Sequence, residues 1–346
     1  MRILHVLPDT AADPKHLHLG STKDIRGRTE YFKSRDLKFD ELITRRSDDS
    51  VIAALGTVEI SNYDTVIIET IISPAAIRYL RSRAPRLVIM TRSINAELLH
   101  RFDWVRAGGF GWPHKWLQKA RFILSRFLRD YHCAMLSDHL LSITDWEVER
   151  YWKKFAERRK VVSVPFFMPS AYVTEPVKTY EKRHQCVCLM STGYNPLIID
   201  AARNFAGAVT LLGDRAQDWS FFITCNQSEH AVPMPARVRS TGVLQDPYQM
   251  LGESRAMALL SDYGYGFKTK FLEAVMCQSF ILIPRGLYRR VPAAMLPFCI
   301  EVDPRSASSF ADALDACRRP YPASNPNEEF RQQAFQNLDT LLLNHP

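Results

Sequence analysis

The sequence predicts an α/β protein with two Rossmann-like, doubly wound domains that face a central cleft. Short apolar runs that suit buried strands recur along the chain and alternate with stretches of helical spacing, as in parallel sheets covered by helices on both faces. Turns that contain glycine follow several of these runs. The 346 residues are long for one core and sufficient for two.

The first domain is predicted to span residues 1–165. Thr144 and Glu147 have the spacing of a capping box at the start of its last helix. The predicted strands are 3–7, 39–44, 64–71, 86–90, 140–143 and 161–164, with helices at 22–35 and 74–82. Proline residues punctuate the polar segment that follows, so 166–183 is predicted to be an interdomain linker.

The second domain is predicted to span residues 184–325, followed by an amphipathic C-terminal helix within 326–346. Its predicted strands are 186–190, 219–224, 257–260, 280–284 and 298–302, and 310–317 is expected to complete the sheet. The first of these strands runs into a turn containing Gly193 and then a helix through Phe205, which makes Gly193 a candidate binding residue.

The segment 264–274 combines glycine, two lysines and one carboxylate between two apolar runs, and is predicted to form a loop and then a helix. The unpaired N–H groups at such a helix start favour an anion, and glycine lets a diphosphate approach closely. Lys268 and Lys270 add positive charge. Thr269, Lys270 and Glu273 lie opposite the apolar face, where the carboxylate can accept hydrogen bonds from a diol such as ribose. The alternative is an ordinary surface pair between Lys270 and Glu273.

Residues just beyond the strands of the first domain are further candidates. Gly20 and Ser21 follow the first strand and the loop after it, where Gly20 suits close approach of a ligand, or Ser21 caps a helix. Arg92, Asn95 and Glu97 follow the fourth predicted strand, at the edge where open parallel sheets bind ligands. The alternative for these three is a polar loop with local hydrogen bonds.

The segment 101–131 mixes basic residues with aromatic residues and contains only two acids, Asp103 and Asp130. This composition suits a helix on an anionic membrane surface. Two alternatives stay open: an aromatic core helix with a solvated charged face, and a nucleic-acid groove. We favour the membrane and expect no nucleic-acid partner.

Composition sets broad limits on the function. The net charge of +8 favours an anionic partner. The seven cysteines are scattered without a Cys-x-x-Cys, which predicts reduced core thiols and no metal site. No apolar run approaches the length of a spanning helix, so we expect a cytoplasmic protein, at the inner face of the membrane if 101–131 contacts it.

The pattern Gly-x-Gly-x-Lys-x-Lys-x-x-Glu-Ala at 264–274 resembles the donor-binding segment of the retaining glycosyltransferases of the GT-B fold, the large family-four group. Weaker matches lie at 140–147, 191–196 and 242–246. Members commonly have a Glu, seven residues and a second Glu that holds the nucleotide ribose. Glu273 matches the second, whereas Tyr265 stands at the first, which is a departure from the pattern.

The resemblance implies retaining transfer of a sugar from a nucleotide diphosphate sugar to a glycan or lipid-linked acceptor, without a metal or other cofactor. It implies that Gly264, Tyr265, Gly266, Phe267 and Thr269 line the donor site, that Lys268, Lys270 and Glu273 act in catalysis, and that the C-terminal helix returns to the first domain.

Tyr265 in place of an acid supports a different function, namely a basic, membrane-peripheral or nucleic-acid-binding protein that keeps this fold without transferase turnover. A nucleotide-sugar epimerase or a phosphorylase of the same architecture is a further alternative. A dinucleotide oxidoreductase is disfavoured because no Gly-x-Gly-x-x-Gly follows the first strand.

Overall fold

The computed structural model describes residues 1–69, 73–109, 116–157, 160–173, 178–190, 195–224, 232–242, 244 and 247–343. They form two parallel six-stranded sheets covered by helices, which confirms the predicted fold class. The first sheet has the order β2-β1-β3-β4-β5-β6. Its strands are β1 (Arg2–Pro8), β2 (Lys38–Thr44), β3 (Thr65–Glu69), β4 (Val88–Ser93), β5 (His139–Ser142) and β6 (Val161–Ser163).

The second sheet has the order β12-β11-β10-β7-β8-β9. Its strands are β7 (Arg183–Cys188), β8 (Ser220–Ile223), β9 (Val238–Ser240), β10 (Ser254–Ala258), β11 (Phe280–Ile283) and β12 (Cys299–Glu301). The chain order reverses between β1 and β3 in the first sheet and between β7 and β10 in the second. In open parallel sheets, ligands bind beyond the carboxyl ends of the strands at such a reversal.

The helices connect successive strands and cover both sheets. They are α1 (Gly20–Ser34), α2 (Asp48–Leu55), α3 (Pro74–Arg83), α4 (Glu97–Arg106), α5 (Trp116–Leu136), α6 (Asp145–Arg150), α7 (Pro196–Leu212), α8 (Pro247–Glu253), α9 (Thr269–Met276), α10 (Arg285–Tyr288), α11 (Ala307–Ala316) and α12 (Pro326–Leu342). Local capping explains several starts, since Ser47 accepts from Ser50 N–H before α2 and Asn195 accepts from Leu197 N–H before α7.

Most predicted strands lie within two residues of observed ones, because short apolar runs between polar turns were the signal. The expectation for 310–317 was wrong: these residues lie in and just after α11, where Phe310, Ala313 and Leu314 form a buried helical stripe. Helix α2 was not predicted. The domain limits at 165, 183 and 325 stay a prediction.

The C-terminal helix α12 packs against the first sheet's side of the molecule. Phe330, Phe335 and Leu338 join a buried cluster that includes Ile3 of β1 and Phe271 of α9. Asp339 of α12 accepts from the Tyr31 hydroxyl at 2.9 Å and pairs with Arg35 at 2.7 Å. A continuous apolar core therefore joins both sheets through α12.

Helix α1 is fixed to the first sheet by a buried ionic network. Asp24 lies between Arg28 and Arg92, with an oxygen 2.7 Å from each guanidinium. Arg28 also pairs with Glu69, which hydrogen-bonds to His5. Burial alone raises the pKa of a carboxyl group, but the charges of Arg28 and Arg92 outweigh it and hold the pKa of Asp24 at about 2. The carboxylate is therefore ionised throughout the neutral range.

We predict that Asp24→Ala lowers the free energy of unfolding by about 3–5 kcal/mol at pH 7, because it leaves the fully buried Arg92 without its counter-charge. Urea denaturation measures the change. The stabilisation from Asp24 is present above the ordinary carboxyl pKa and is lost as the pH falls towards 2. The exposed Asp214→Ala is the matched control, and equal losses for the two variants would contradict the prediction.

Candidate functional site

The glycine loop 264–268 lies between β10 and α9, beyond the carboxyl end of β10 at the reversal point of the second sheet. Gly264 and Gly266 have φ angles of +87° and +82°. This left-handed region favours glycine, so the two glycines allow the loop to turn sharply back into the amino end of α9. The segment 264–274 therefore forms the predicted loop and then the predicted helix.

The first domain supplies carboxylates to the backbone of this loop. Gly264 N–H donates to Asp103 Oδ2 at 2.9 Å, and Gly266 N–H donates to Glu147 Oε1 at 2.8 Å. The side of Gly266 is also closely covered: a Cβ added there would lie 2.2 Å from Asn95 Oδ1. The two domains are thus in direct contact over the glycine loop.

Glu147 does not complete a capping box. Thr144 accepts from Glu147 N–H at 3.2 Å as predicted, but the Glu147 carboxylate accepts from Ala96 N–H and Gly266 N–H, both at 2.8 Å. Burial raises the pKa of Glu147 to about 7, although the two N–H donors oppose the shift. This carboxylate contacts both domains at once.

A stack of aromatic and cationic side chains lies beside the loop. Trp146 of the first domain packs on Tyr265 with ring centroids 5.4 Å apart, and the Arg290 guanidinium lies 4.5 Å from the Tyr265 centroid. Lys268 Nζ donates to Tyr265 O at 3.2 Å. Burial, together with the charge of Arg290, lowers the pKa of Lys268 to about 8. At this pKa Lys268 is still mostly protonated at neutral pH, and a bound anion would favour its charged form.

The helix start holds the other predicted loop residues. Lys270 Nζ donates to Leu189 O at 2.6 Å, directly after β7, so Lys270 lies between the two strands at the reversal point. The alternative of a surface ion pair between Lys270 and Glu273 was wrong, because Lys270 donates to Leu189 O and Glu273 pairs with Lys23. Thr269 packs against Gly20 across the cleft, since a Cβ on Gly20 would lie 2.4 Å from Thr269 Oγ1. Gly20 begins α1, and Leu19 occupies the cap position, so the alternative of a Ser21 cap was wrong.

Glu273 is buried, and its partner comes from the first domain. Lys23 Nζ lies 2.5 Å from Glu273 Oε1 and donates to the Tyr248 hydroxyl at 2.6 Å. Burial of Lys23 works against its charge, but the negative charge of Glu273 predominates and raises the pKa of Lys23. Lys23 therefore remains a cation, placed between α1, α8 and α9.

Arg92 is not available to a ligand, which corrects its assignment as a binding residue. Its guanidinium is fully buried and bonded to Asp24, Ser142 O and Val164 O. The residue lies at the end of β4, as the pattern indicated, but its side chain points into the ionic network below α1.

The remaining candidates divide between the loop and its surroundings. Asn95 and Glu97 are half-buried beside the glycine loop, where Asn95 Nδ2 donates to Glu97 Oε1 at 3.3 Å and Glu97 pairs with Arg101. Phe267 instead packs against Phe166 and Phe330, on the side of the C-terminal helix. Gly193 lies outside the described residues.

Lys23, Asp103, Glu147, Tyr248 and Arg290 belong to the site but were not assigned to it from the sequence. One signal did exist. Asp103 and Asp130 are the only acids of the basic segment 101–131, and both are buried. Acidic side chains are almost never fully buried unless they are paired, so the burial of both indicates specific partners.

Within the described residues, no group of three or more His, Cys, Asp or Glu side chains could hold a metal ion. The structure describes six cysteines, all of them free and buried: Cys133, Cys186, Cys188, Cys277, Cys299 and Cys317. The helices of the described parts are also too short or too polar to cross a membrane.

Helix α5 carries an apolar stripe on its solvent side. Residues at three- and four-residue spacing share one face of a helix. Leu117, Leu124, Leu128, Tyr131 and Met135 follow this spacing and are 37–64% exposed. Arg121 falls on the same face, whereas Lys119 and Arg126 do not. Trp112 and Lys115, which also belong to the segment 101–131, lie outside the described residues.

Comparison with solved structures identifies the architecture. Anabaena HepE in complex with UDP and glucose superposes with a TM-score of 0.62 over 100% of both chains at 10% identity. The chain has the GT-B fold. The lipopolysaccharide outer core galactosyltransferase WaaB (TM-score 0.59, 12% identity, 99% of both chains) and UDP-GlcNAc 2-epimerase from Methanocaldococcus jannaschii (0.59, 10%, 100% of both chains) share it. No family model and no curated protein matches the sequence.

We predict that Gly266→Ala disturbs the contact between the two GT-B domains, because the new methyl group would meet Asn95 Oδ1 and Ile94 O within 2.4 Å. Overpacking of this kind costs about 1–3 kcal/mol. Gly242→Ala is the matched control, since Gly242 also has a positive φ of +70° but no atom of the described residues within 4 Å of an added Cβ. Small-angle scattering should show a larger radius of gyration for Gly266→Ala alone, and equal radii for both variants would refute the contact.

Proposed function

We propose that the protein is a glycosyltransferase that moves a sugar from a nucleotide diphosphate sugar to an acceptor hydroxyl. The observation that carries this proposal is the position of the glycine loop and Glu273. Both lie beyond the carboxyl ends of β7 and β10, at the reversal point of the second sheet, and face the first domain. Solved GT-B structures of this shape hold UDP and UDP-glucose.

In the proposed reaction, the diphosphate lies at the amino end of α9. The N–H groups there favour an anion, and Lys268 and Lys270 carry positive charge at the same end. Negative charge grows on the diphosphate as its bond to the sugar breaks, and positive groups held in place stabilise that state. These groups take the part that a metal ion plays elsewhere, so the proposed transfer is independent of metal. We propose retention of the anomeric configuration because the pattern at 264–274 resembles that of retaining enzymes.

Glu273 is proposed to hold the ribose. Lys23 occupies Oε1 of the carboxylate, and Oε2 is the oxygen that would accept from a ribose hydroxyl. Because Lys23 and Glu273 come from different domains, the hydrogen bond between them also depends on the relative position of the domains. Binding of the nucleotide and closure of the cleft would therefore be linked.

We predict that Glu273→Gln weakens UDP binding by about 1.5–3 kcal/mol, since a hydrogen bond to a charged group is lost. Calorimetry with excess chelator present measures the affinity and tests metal independence together. Glu181→Gln, an exposed carboxylate outside the cleft, is the control. Unchanged affinity in a folded Glu273→Gln protein would exclude the ribose role, and a requirement for Mg²⁺ or Mn²⁺ would exclude the metal-free site.

Epimerisation is the second candidate, because a UDP-GlcNAc 2-epimerase shares the fold over the whole chain. Incubation with a panel of nucleotide sugars separates the two activities by their products. Transfer or slow hydrolysis releases the nucleoside diphosphate, whereas epimerisation yields a changed sugar.

We further propose that the acceptor is a glycan or lipid-linked saccharide, and that the apolar stripe on α5 contacts the cytoplasmic face of a membrane. An exposed stripe of this length on a 21-residue helix suits burial at the boundary between head groups and acyl chains. Arg121 on the same face would meet anionic head groups. The interaction is superficial, since the described helices do not span a bilayer.

We predict that replacing Leu117, Leu124 and Leu128 together with serine lowers binding to phosphatidylcholine vesicles containing phosphatidylserine at least about tenfold. The side chains are exposed, so the variant should fold and bind UDP like the wild type. Leu211→Ser, an exposed leucine on α7, is the control. If the wild type does not sediment with the vesicles, the membrane proposal is wrong.

A further inference from the structure

The Glu147 carboxylate has one oxygen in use and one without a partner. Oε1 accepts from Ala96 N–H and Gly266 N–H, each at 2.8 Å. Oε2 is buried and has no hydrogen-bond partner among the described residues, and the side chain as a whole is 1% exposed. A buried carboxylate oxygen without a donor is costly, so this arrangement indicates a missing donor.

Glu147 lines a small cavity at the contact between the two domains. Glu147 and Trp146 form the first-domain wall, and the glycine loop with Lys268 and Arg290 forms the other. The cavity has a volume of about 20 Å³, which accommodates one water molecule or one hydroxyl group but no sugar ring. The missing hydrogen-bond donor to Glu147 Oε2 is therefore a small group.

The position of the cavity indicates where that donor comes from. Lys268 and Gly266 belong to both the cavity and the loop that we propose to hold the diphosphate. The transferred sugar is attached directly to the diphosphate. Its hydroxyl groups therefore lie no further from the loop than the width of one sugar ring. An aromatic ring with a carboxylate beside it suits a carbohydrate, and Trp146, which packs on Tyr265, lies next to Glu147 in the wall of the cavity.

We propose that Glu147 is a specificity-determining residue for the donor, and that its free carboxylate oxygen accepts a hydrogen bond from one hydroxyl of the transferred sugar. The inference rests on the proposed function and goes beyond it, because it assigns the recognition of the sugar to the first domain. Glu147 also holds the Gly266 N–H, so the contact forms only when the two domains close over the donor.

The structure allows a clean variant. Glu147→Gln keeps the shape of the side chain and an oxygen that accepts from Ala96 N–H and Gly266 N–H. Burial favours the neutral form of the Glu147 carboxyl group and raises its pKa to about 7, so we expect a neutral amide to fit there. Glu149→Gln is the matched control, because Glu149 lies two residues further along α6 with a half-exposed side chain.

The experiment measures the binding of UDP, of UDP-glucose, UDP-galactose and UDP-N-acetylglucosamine, and of the monodeoxy analogues of the donor that binds best. It is done at pH 8, where most of the Glu147 carboxyl is ionised. We expect Glu147→Gln to weaken the best UDP-sugar about 10- to 100-fold while changing UDP affinity less than about twofold. One deoxy analogue should bind wild type and variant equally, because it already lacks the contacted hydroxyl.

The outcomes separate this inference from the function on which it rests. If wild type and Glu147→Gln bind the UDP-sugars with equal affinity, the sugar contact is overturned while the donor site stands. The same conclusion follows if the substitution weakens the binding of every deoxy analogue by the same factor. The same holds if no UDP-sugar binds more tightly than UDP. If neither UDP nor any UDP-sugar binds the wild type, the proposed function itself fails. A loss of UDP affinity equal to that of the sugar would assign Glu147 to loop structure alone.

Discussion

The contact between the two domains depends on backbone N–H groups of the glycine loop that donate to carboxylates of the opposite domain. Asp103 and Glu147 are covered by this contact and lose their water, and the N–H groups of Gly264 and Gly266 replace it. Burial still raises the pKa of both carboxyl groups. At the glycine loop the interface is thus built from polar groups that need each other, whereas an apolar core joins the two sheets beside α12.

The buried network below α1 serves this interface at a distance. Asp24 is held between two arginines, and the preceding residue, Lys23, reaches Glu273 on the other domain. Because the network fixes α1 on the first sheet, the position of Lys23 is fixed as well. Arg92 was predicted from the sequence to bind a ligand. It contributes to the site instead by holding Asp24, and with it α1, in place.

The architecture and the chemistry of the site point in the same direction. Parallel strands place all their carboxyl ends at one edge of the sheet. The parallel topology alone therefore brings the loops after β7 and β10 together. In the GT-B arrangement this edge faces the first domain. Cations gather there from four parts of the chain: Lys268 from the loop, Lys270 from α9, Arg290 from the turn after α10, and Lys23 from α1. A diphosphate is the kind of group that such a site favours.

The sequence by itself determined the alternation of strands and helices, the two-sheet fold and the glycine loop, because periodicity, turn residues and helix starts are local properties of the chain. It also singled out Glu273 and the lysines by their spacing. Only the tertiary structure decided their partners: Lys23 lies 250 residues from Glu273, and Asp103 lies 161 from Gly264. No local pattern links residues so far apart. Arg92 and Glu147 were misjudged for that reason, since the fold brings Asp24 to the one and Gly266 to the other.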